Sequence, residues 1–208
     1  MTLCVTTCLW DANWHSLPGS RAYSEDWVEK LHAAFRRHLS SAFDFVVFTD
    51  RDRQFSPGIE QKRLTAKVPT YGSFLEPFRL NAPMISVGLD TLILANIDDL
   101  ARYCLTADKI AVPRDPYMPE QSINGVVLSP AGQRRVWTEW DGACTDMDRM
   151  RQLDTVFIDD LFPGSCISFK AHDVRRKGTQ GARIVYFHGV PKMSDLPGDK
   201  MIRKHWRV

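Results

Sequence analysis

Apolar and polar positions alternate along this chain in two periods, and the change from one to the other marks out its elements. Leu3 to Leu9 is a short apolar and β-branched run that stops at Asp11 and Asn13, which predicts a strand buried on both faces. After Ser24 the period lengthens. Trp27, Val28, Leu31, Ala34, Phe35 and Leu39 recur at helical spacing, with Glu25 and Asp26 in the first turn, and predict a helix. Phe43 to Phe48 returns to a strand pattern and ends in the polar cluster Thr49-Asp50-Arg51-Asp52. A strand, helix, strand unit favours parallel pairing, and ligands of open α/β sheets gather beyond the carboxyl ends of the strands. Asp11 and Asp50 fall at those ends.

The alternation continues less regularly. Residues 53–70 contain Pro57, Gly58 and Pro69 and read as a loop with room for one short strand. Tyr71 to Leu80 predicts a helix interrupted at Pro77, and strands at Met84 to Val87 and Leu92 to Leu94 flank Gly88-Leu89-Asp90-Thr91. A helix over Ile97 to Leu105 and strands over Ile110 to Val112 and Ile123 to Leu128 follow, the last with Asn124-Gly125 inside it. Pro130 is read as opening a helix through Trp137 and Trp140, and a further helix spans Asp154 to Leu161. Ile167 to Lys170 and Arg183 to Phe187 are the last strands, the second delivering His188-Gly189. About six or seven strands interleaved with four or five helices predict one α/β layer fold, a single domain over residues 1–208.

Composition narrows the function classes. With 44% hydrophobic and 25% charged residues the chain is ordinary globular protein, and a formal charge of +2 is too small for a nucleic-acid footprint. Five cysteines without CxxC spacing suit a reducing compartment, and no stretch approaches a membrane span, so a cytoplasmic protein without a membrane segment is expected. No GxGxxG follows the first strand and no Walker-type phosphate loop occurs, which leaves any bound diphosphate to side chains or a metal.

Two segments carry candidate chemistry. In ISVGLDTLILANIDDL, residues 85–100, Asp90 is an acidic side chain in an apolar frame, where it costs free energy unless paired, hydrogen-bonded or on a hard cation. The same spacing also suits a plain turn of Asp90 with Thr91. In RIVYFHGVPK, residues 183–192, a strand brings His188, Gly189 and Lys192 near one point, an imidazole and a point charge suited to a metal or phosphate oxygens. Asn124, Asp154 and Lys170 each set one polar group against apolar neighbours, and a turn or cap explains each equally.

The order of these segments resembles the nucleotide-sugar glycosyltransferases of family 8, related to glycogenin and the bacterial galactosyl- and glucosyltransferases. The likeness runs through SVGLDTLILANIDDL, QSINGVVLS, LDTVFIDDLFPG, SFKAH and IVYFHGVPK, from TTCLWD onward. It implies a GT-A fold with a mixed, mostly parallel sheet flanked by helices, and retaining transfer of a hexose from a nucleotide diphosphate sugar, a UDP-sugar by the family's habit, to a hydroxyl on a glycan, lipid or protein. It implies that Thr6, Thr7 and Asp11 hold uracil and ribose, with Asp50 beside the base. Asp90 takes the second place of the acidic metal motif and Gly88 the first. His188 would be the remaining ligand of Mn²⁺ or Mg²⁺, although the family's histidine falls two places earlier, at Tyr186. Gly189, Lys170 and Lys192 would contact the donor, Lys192 stabilising the departing diphosphate. Asn124 would reach the sugar, and Asp154 would position donor and acceptor. Gly88 also suits a nucleotide-sugar-binding protein of this fold that has lost turnover. A phosphohydrolase using Asp50 or Asp90 as nucleophile ranks below both.

Overall fold

The computed structural model describes residues 2–208. In chain order its main elements are β1 (Leu3–Leu9), α1 (Glu25–His38), β2 (Phe43–Thr49), β3 (Ile59–Arg63), β4 (Met84–Val87), β5 (Thr91–Ile93), α2 (Asp98–Thr106), β6 (Ala111–Val112), β7 (Val126–Ser129), α3 (Arg135–Thr138), α4 (Asp146–Arg151), β8 (Val156–Phe157), α5 (Ile158–Leu161), β9 (Cys166–Ser168), α6 (Val174–Lys177), β10 (Ile184–Tyr186) and α7 (Lys200–His205). All seven residues of β1 are buried, as its unbroken apolar run requires of a central strand. Seven strands form one sheet in the order β3-β2-β1-β4-β7-β6-β8, and β5-β10-β9 form a second, smaller sheet.

In the larger sheet β3, β2, β1 and β4 run parallel, β7 is reversed, and β6 and β8 resume the common direction. The carboxyl ends of β1, β2, β4 and β6 therefore share one edge with the start of β7. Helix α1 covers β1 and β5 with Trp27, Val28, Leu31, Ala34 and Phe35, while its acidic first turn and basic last turn complement the backbone dipole. Each of the larger side chains on this face contributes about 1.5–3 kcal/mol by burial.

Four expectations are corrected. Tyr71–Leu80 is a 3₁₀ segment throughout, with Pro77 inside it. The long helix from Pro130 is reduced to Arg135–Thr138, because Gly132 takes a positive φ of 84° before it and Gly142 one of 81° after it. Val156 and Phe157, expected to be helical, pair with Ala111 and Val112 at the sheet edge, and the helix starts only at Ile158. Ile123–Gly125 turns out of the strand, so β7 begins at Val126. The strands also divide between two sheets, which a count of strands alone does not show.

The 3₁₀ segment is clamped to the sheet by a fully buried Glu76. Its carboxylate accepts from the Thr65 backbone at 2.8 Å and Thr65 Oγ1 at 3.0 Å, and pairs with Arg79 at 2.6 Å. Truncation orphans those donors. Glu76→Ala is expected to cost about 2–4 kcal/mol of stability in urea denaturation; a loss below about 0.5 kcal/mol would show that the clamp is not needed.

Candidate functional site

Strand β4 ends at Val87, and the chain crosses Gly88 and buried Leu89 to reach Asp90 before β5 departs into the smaller sheet. Strand β10 lies antiparallel to β5 with Tyr186 opposite Thr91, and the Phe187 backbone N–H donates to the Asp90 carbonyl at 2.9 Å. This pairing brings the segment from His188 to Lys192 to Asp90. Gly189 turns with a φ of 63°, the Val190–Pro191 peptide is cis, and Lys192 returns so that its Nζ donates to Asp90 Oδ2 and, at 2.9 Å, to the Phe187 carbonyl. The Tyr23 hydroxyl donates to the same Oδ2 at 2.8 Å. Lys192 and Asp90 are buried together, with side-chain exposures of 8% and 17%.

Tyr23 comes from the loop after β1, which crosses directly above this segment. A Cβ placed on Gly19 would lie 3.0 Å from Lys192 Cε and 3.2 Å from the Gly189 carbonyl, so only a glycine passes at this distance without displacing its neighbours. Burial and the adjacent Asp90 carboxylate push the Tyr23 phenol well above its ordinary range, so it stays a hydrogen-bond donor.

His188 is fixed from β9: its Nδ1 shares a 3.0 Å hydrogen bond with Ser168 Oγ, which also accepts from the Ala171 backbone at 3.0 Å. Its Nε2 is buried and has no hydrogen-bond partner among the described residues. The exposed Tyr117 ring stands edge-on to the imidazole with centroids 5.7 Å apart. Burial, followed by the charges of Lys170 and Lys192, lowers the His188 pKa and favours the neutral ring. Asp90, His188, Gly189 and Lys192 thus gather as expected, with exposed Lys170 close enough to be felt.

Asp11 and Asp50 also meet at the sheet edge, but around an arginine that the pattern of the chain did not single out. Arg53 is buried, and its guanidinium bonds Asp11, Asp50 and Glu25, each at 2.8 Å; the Asp11 backbone N–H donates to Asp50 at 2.9 Å. Hydrogen bonds from Arg51 and then Arg53 hold the Asp11 carboxyl down to about 2. The polar run after β2 was the signal available for Arg53. Thr6 and Thr7 are 0% exposed inside β1, so the expectation that they touch a nucleotide is corrected: they lie within the sheet, short of its carboxyl end.

Asn124 stays at the carboxyl edge, and its amide donates to Asp146, a buried carboxyl absent from the sequence expectations. Asp154 does not join the site. Its side chain is 75% exposed and pairs with Lys109 at 2.7 Å, and both precede the parallel strands β8 and β6, at the opposite edge of the sheet. A catalytic place for Asp154 is corrected on that ground.

A hard divalent cation of the Mn²⁺ or Mg²⁺ type needs several oxygen ligands. Here one carboxylate is offered, and its Oδ2 already accepts from an ammonium and a phenol. A Cβ on Gly88 would lie 2.6 Å from Asp90 Oδ1, so the Asp90 carboxylate itself fills the space where a side chain at 88 would begin. Among the described residues no three His, Cys, Asp or Glu side chains converge on a common point. The side chains present do not fit such an ion.

Desolvation pushes the Asp146 carboxyl up to about 7, against the backbone and Asn124 hydrogen bonds that favour its charge. A carboxyl raised in the folded state holds its proton where the unfolded chain has lost it, so its contribution is complete below the unfolded value near 4 and is lost as pH rises through 7. Asp146→Asn is expected to be more stable than the parent at pH 8, with the advantage shrinking toward pH 4 by up to about 1.4 kcal/mol per unit, as read by urea denaturation at both pH values. An advantage that does not change with pH would show that Asp146 titrates normally.

No family profile and no curated protein sequence matches the chain. Among solved structures it is similar to the apo structure of the bifunctional glycosyltransferase WbbM, with a TM-score of 0.61 at 10% identity, over 92% of this chain and 46% of that one. It is likewise similar to the glycosyltransferase GlyE of Streptococcus pneumoniae TIGR4, with a TM-score of 0.56 at 13% identity, over 92% of this chain and 56% of that one. The chain therefore spans about half the length of these structures. At such identities the likeness is one of architecture: this chain has the mixed α/β fold, with its mostly parallel sheet flanked by helices, found in those glycosyltransferases.

Proposed function

We propose that this chain is a glycosyltransferase domain that binds a nucleotide diphosphate sugar, a UDP-hexose, at the carboxyl edge of its larger sheet and transfers the sugar with retention to a hydroxyl acceptor. The observation that carries the reading is that Lys192 and Lys170 lie close enough to His188, whose Nε2 is unpartnered among the described residues, for the imidazole to feel both charges. An anionic diphosphate supplies what such groups lack, and ligands of α/β sheets bind at this edge. Fixed donors and cations aimed at the departing phosphate oxygen stabilise charge as the glycosidic bond breaks, without reorganising at that moment.

Other residues take supporting places. Asp11 and Asp50, rigidly spaced by Arg53, lie beside β1 where a nucleoside would stack, and Asn124 stands at the sugar end. Trp14, Tyr117 and Val190 are exposed on the loops after β1, β6 and β10, apolar surfaces suited to the carbon face of an acceptor sugar or to a lipid. A second reading, a nucleotide-sugar-binding protein without turnover, draws its support from Gly88 and from the occupied Asp90 carboxylate.

Incubation with UDP-glucose and UDP-galactose separates the two readings. The enzyme reading expects UDP release, by transfer or slow hydrolysis; binding with no release favours the second, and no binding of either sugar nucleotide removes both. Lys170→Ala changes an exposed side chain, so it is expected to leave thermal stability intact while weakening UDP-sugar binding about 3- to 10-fold in calorimetric titration. Unchanged affinity would place the diphosphate elsewhere.

A further inference from the structure

We propose that the charge of the donor diphosphate is met in this site by the Lys192 ammonium seated on Asp90, and not by a divalent cation. The inference rests on the donor reading above and specifies its chemistry.

An ammonium has three N–H donors. Asp90 and the Phe187 carbonyl take two of Lys192's, which fixes the position of the nitrogen and leaves one N–H donor of the ammonium for a ligand. The Lys192 Nζ lies 5.9 Å from the Tyr23 ring centroid, and Tyr23 packs in turn against Trp27 with ring centroids 4.7 Å apart. A cation on Asp90 Oδ2 would have to displace Lys192 and Tyr23 and leave a buried ammonium with a single carbonyl partner, a costly exchange, while Oδ1 alone is one oxygen where such an ion needs several. The space beside Gly88 is taken by Asp90 itself, and among the described residues no three His, Cys, Asp or Glu side chains converge there. Asp90 is here a positioning residue: it holds the cation that touches the phosphate.

The two roles for Asp90 make opposite forecasts. As a metal ligand, its neutralisation destroys donor binding. As a seat for Lys192, its neutralisation keeps a hydrogen-bond acceptor and removes a negative charge from the diphosphate's surroundings. Calorimetric titration of the wild-type chain with UDP is therefore expected to give the same affinity within about two-fold in EDTA and in excess Mn²⁺. Mn²⁺ alone should keep the full electron paramagnetic resonance signal of the free ion when the protein is added. Asp90→Asn is expected to bind UDP about 2- to 5-fold more tightly in EDTA. UDP binding only with Mn²⁺, or loss of binding in Asp90→Asn, overturns the proposal and leaves the donor reading standing. No UDP binding in either medium overturns the donor reading and the proposal with it. The wild-type titration decides alone if the variant is too unstable to titrate.

Discussion

A carboxylate at the end of an apolar strand has to be compensated, and the way Asp90 is compensated organises this protein. Strand β4 carries the chain through the core, and Asp90 emerges where a lone charge would be expensive. Lys192 and Tyr23 meet that demand from opposite directions along the chain. The first brings the segment after β10 back across the sheet edge, and the second draws the loop after β1 over it. Trp27 and then Trp206 continue the contact, with ring centroids 4.7 Å apart at both steps, so the last helix is packed into the same arrangement.

A second ionic knot closes the neighbouring part of the edge. Arg53 is buried among Asp11, Asp50 and Glu25, which take its two terminal nitrogens and leave Nε without a partner among the described residues. Such groups are retained where position matters more than stability, because hydrophobic replacements would pack as well but would not space two strand ends. His188 stands against Ser168 and Tyr117, and its Nε2 finds no partner among the described residues. The edge is thus rigid at its two ionic knots, with an unmatched ring nitrogen beside the first.

The architecture matches glycosyltransferases far more clearly than any residue identity does, with TM-scores of 0.61 and 0.56 at 10% and 13% identity. A sheet framework tolerates wide substitution so long as apolar alternation and strand order persist. A site does not, since each group acts at its own position. At Gly88 and Tyr186, where the sequence resemblance implies a carboxylate and a histidine, the structure has the neighbouring Asp90–Lys192 ion pair and a ring packed on Gly125.

By itself the sequence determined the strands and helices whose apolar periods are long and clean: β1, α1, β2 and β4 were legible, and with them the edge where Asp11, Asp50 and Asp90 emerge. Short segments were not, because a few residues such as Val156 and Phe157 satisfy either period until a neighbouring strand selects one. The candidate site was half legible. Asp90, His188 and Lys192 announced themselves as polar groups in apolar frames, but their meeting depends on β10 pairing with β5 over more than ninety residues of chain. Tyr23 and Asp146 gave no local sign, Arg53 only the polar run after β2, and Asp154 gave a false one. Only the fold decides which side chains share a point in space, and a charge is defined by what lies opposite it: tertiary structure alone made Asp90 the partner of a lysine.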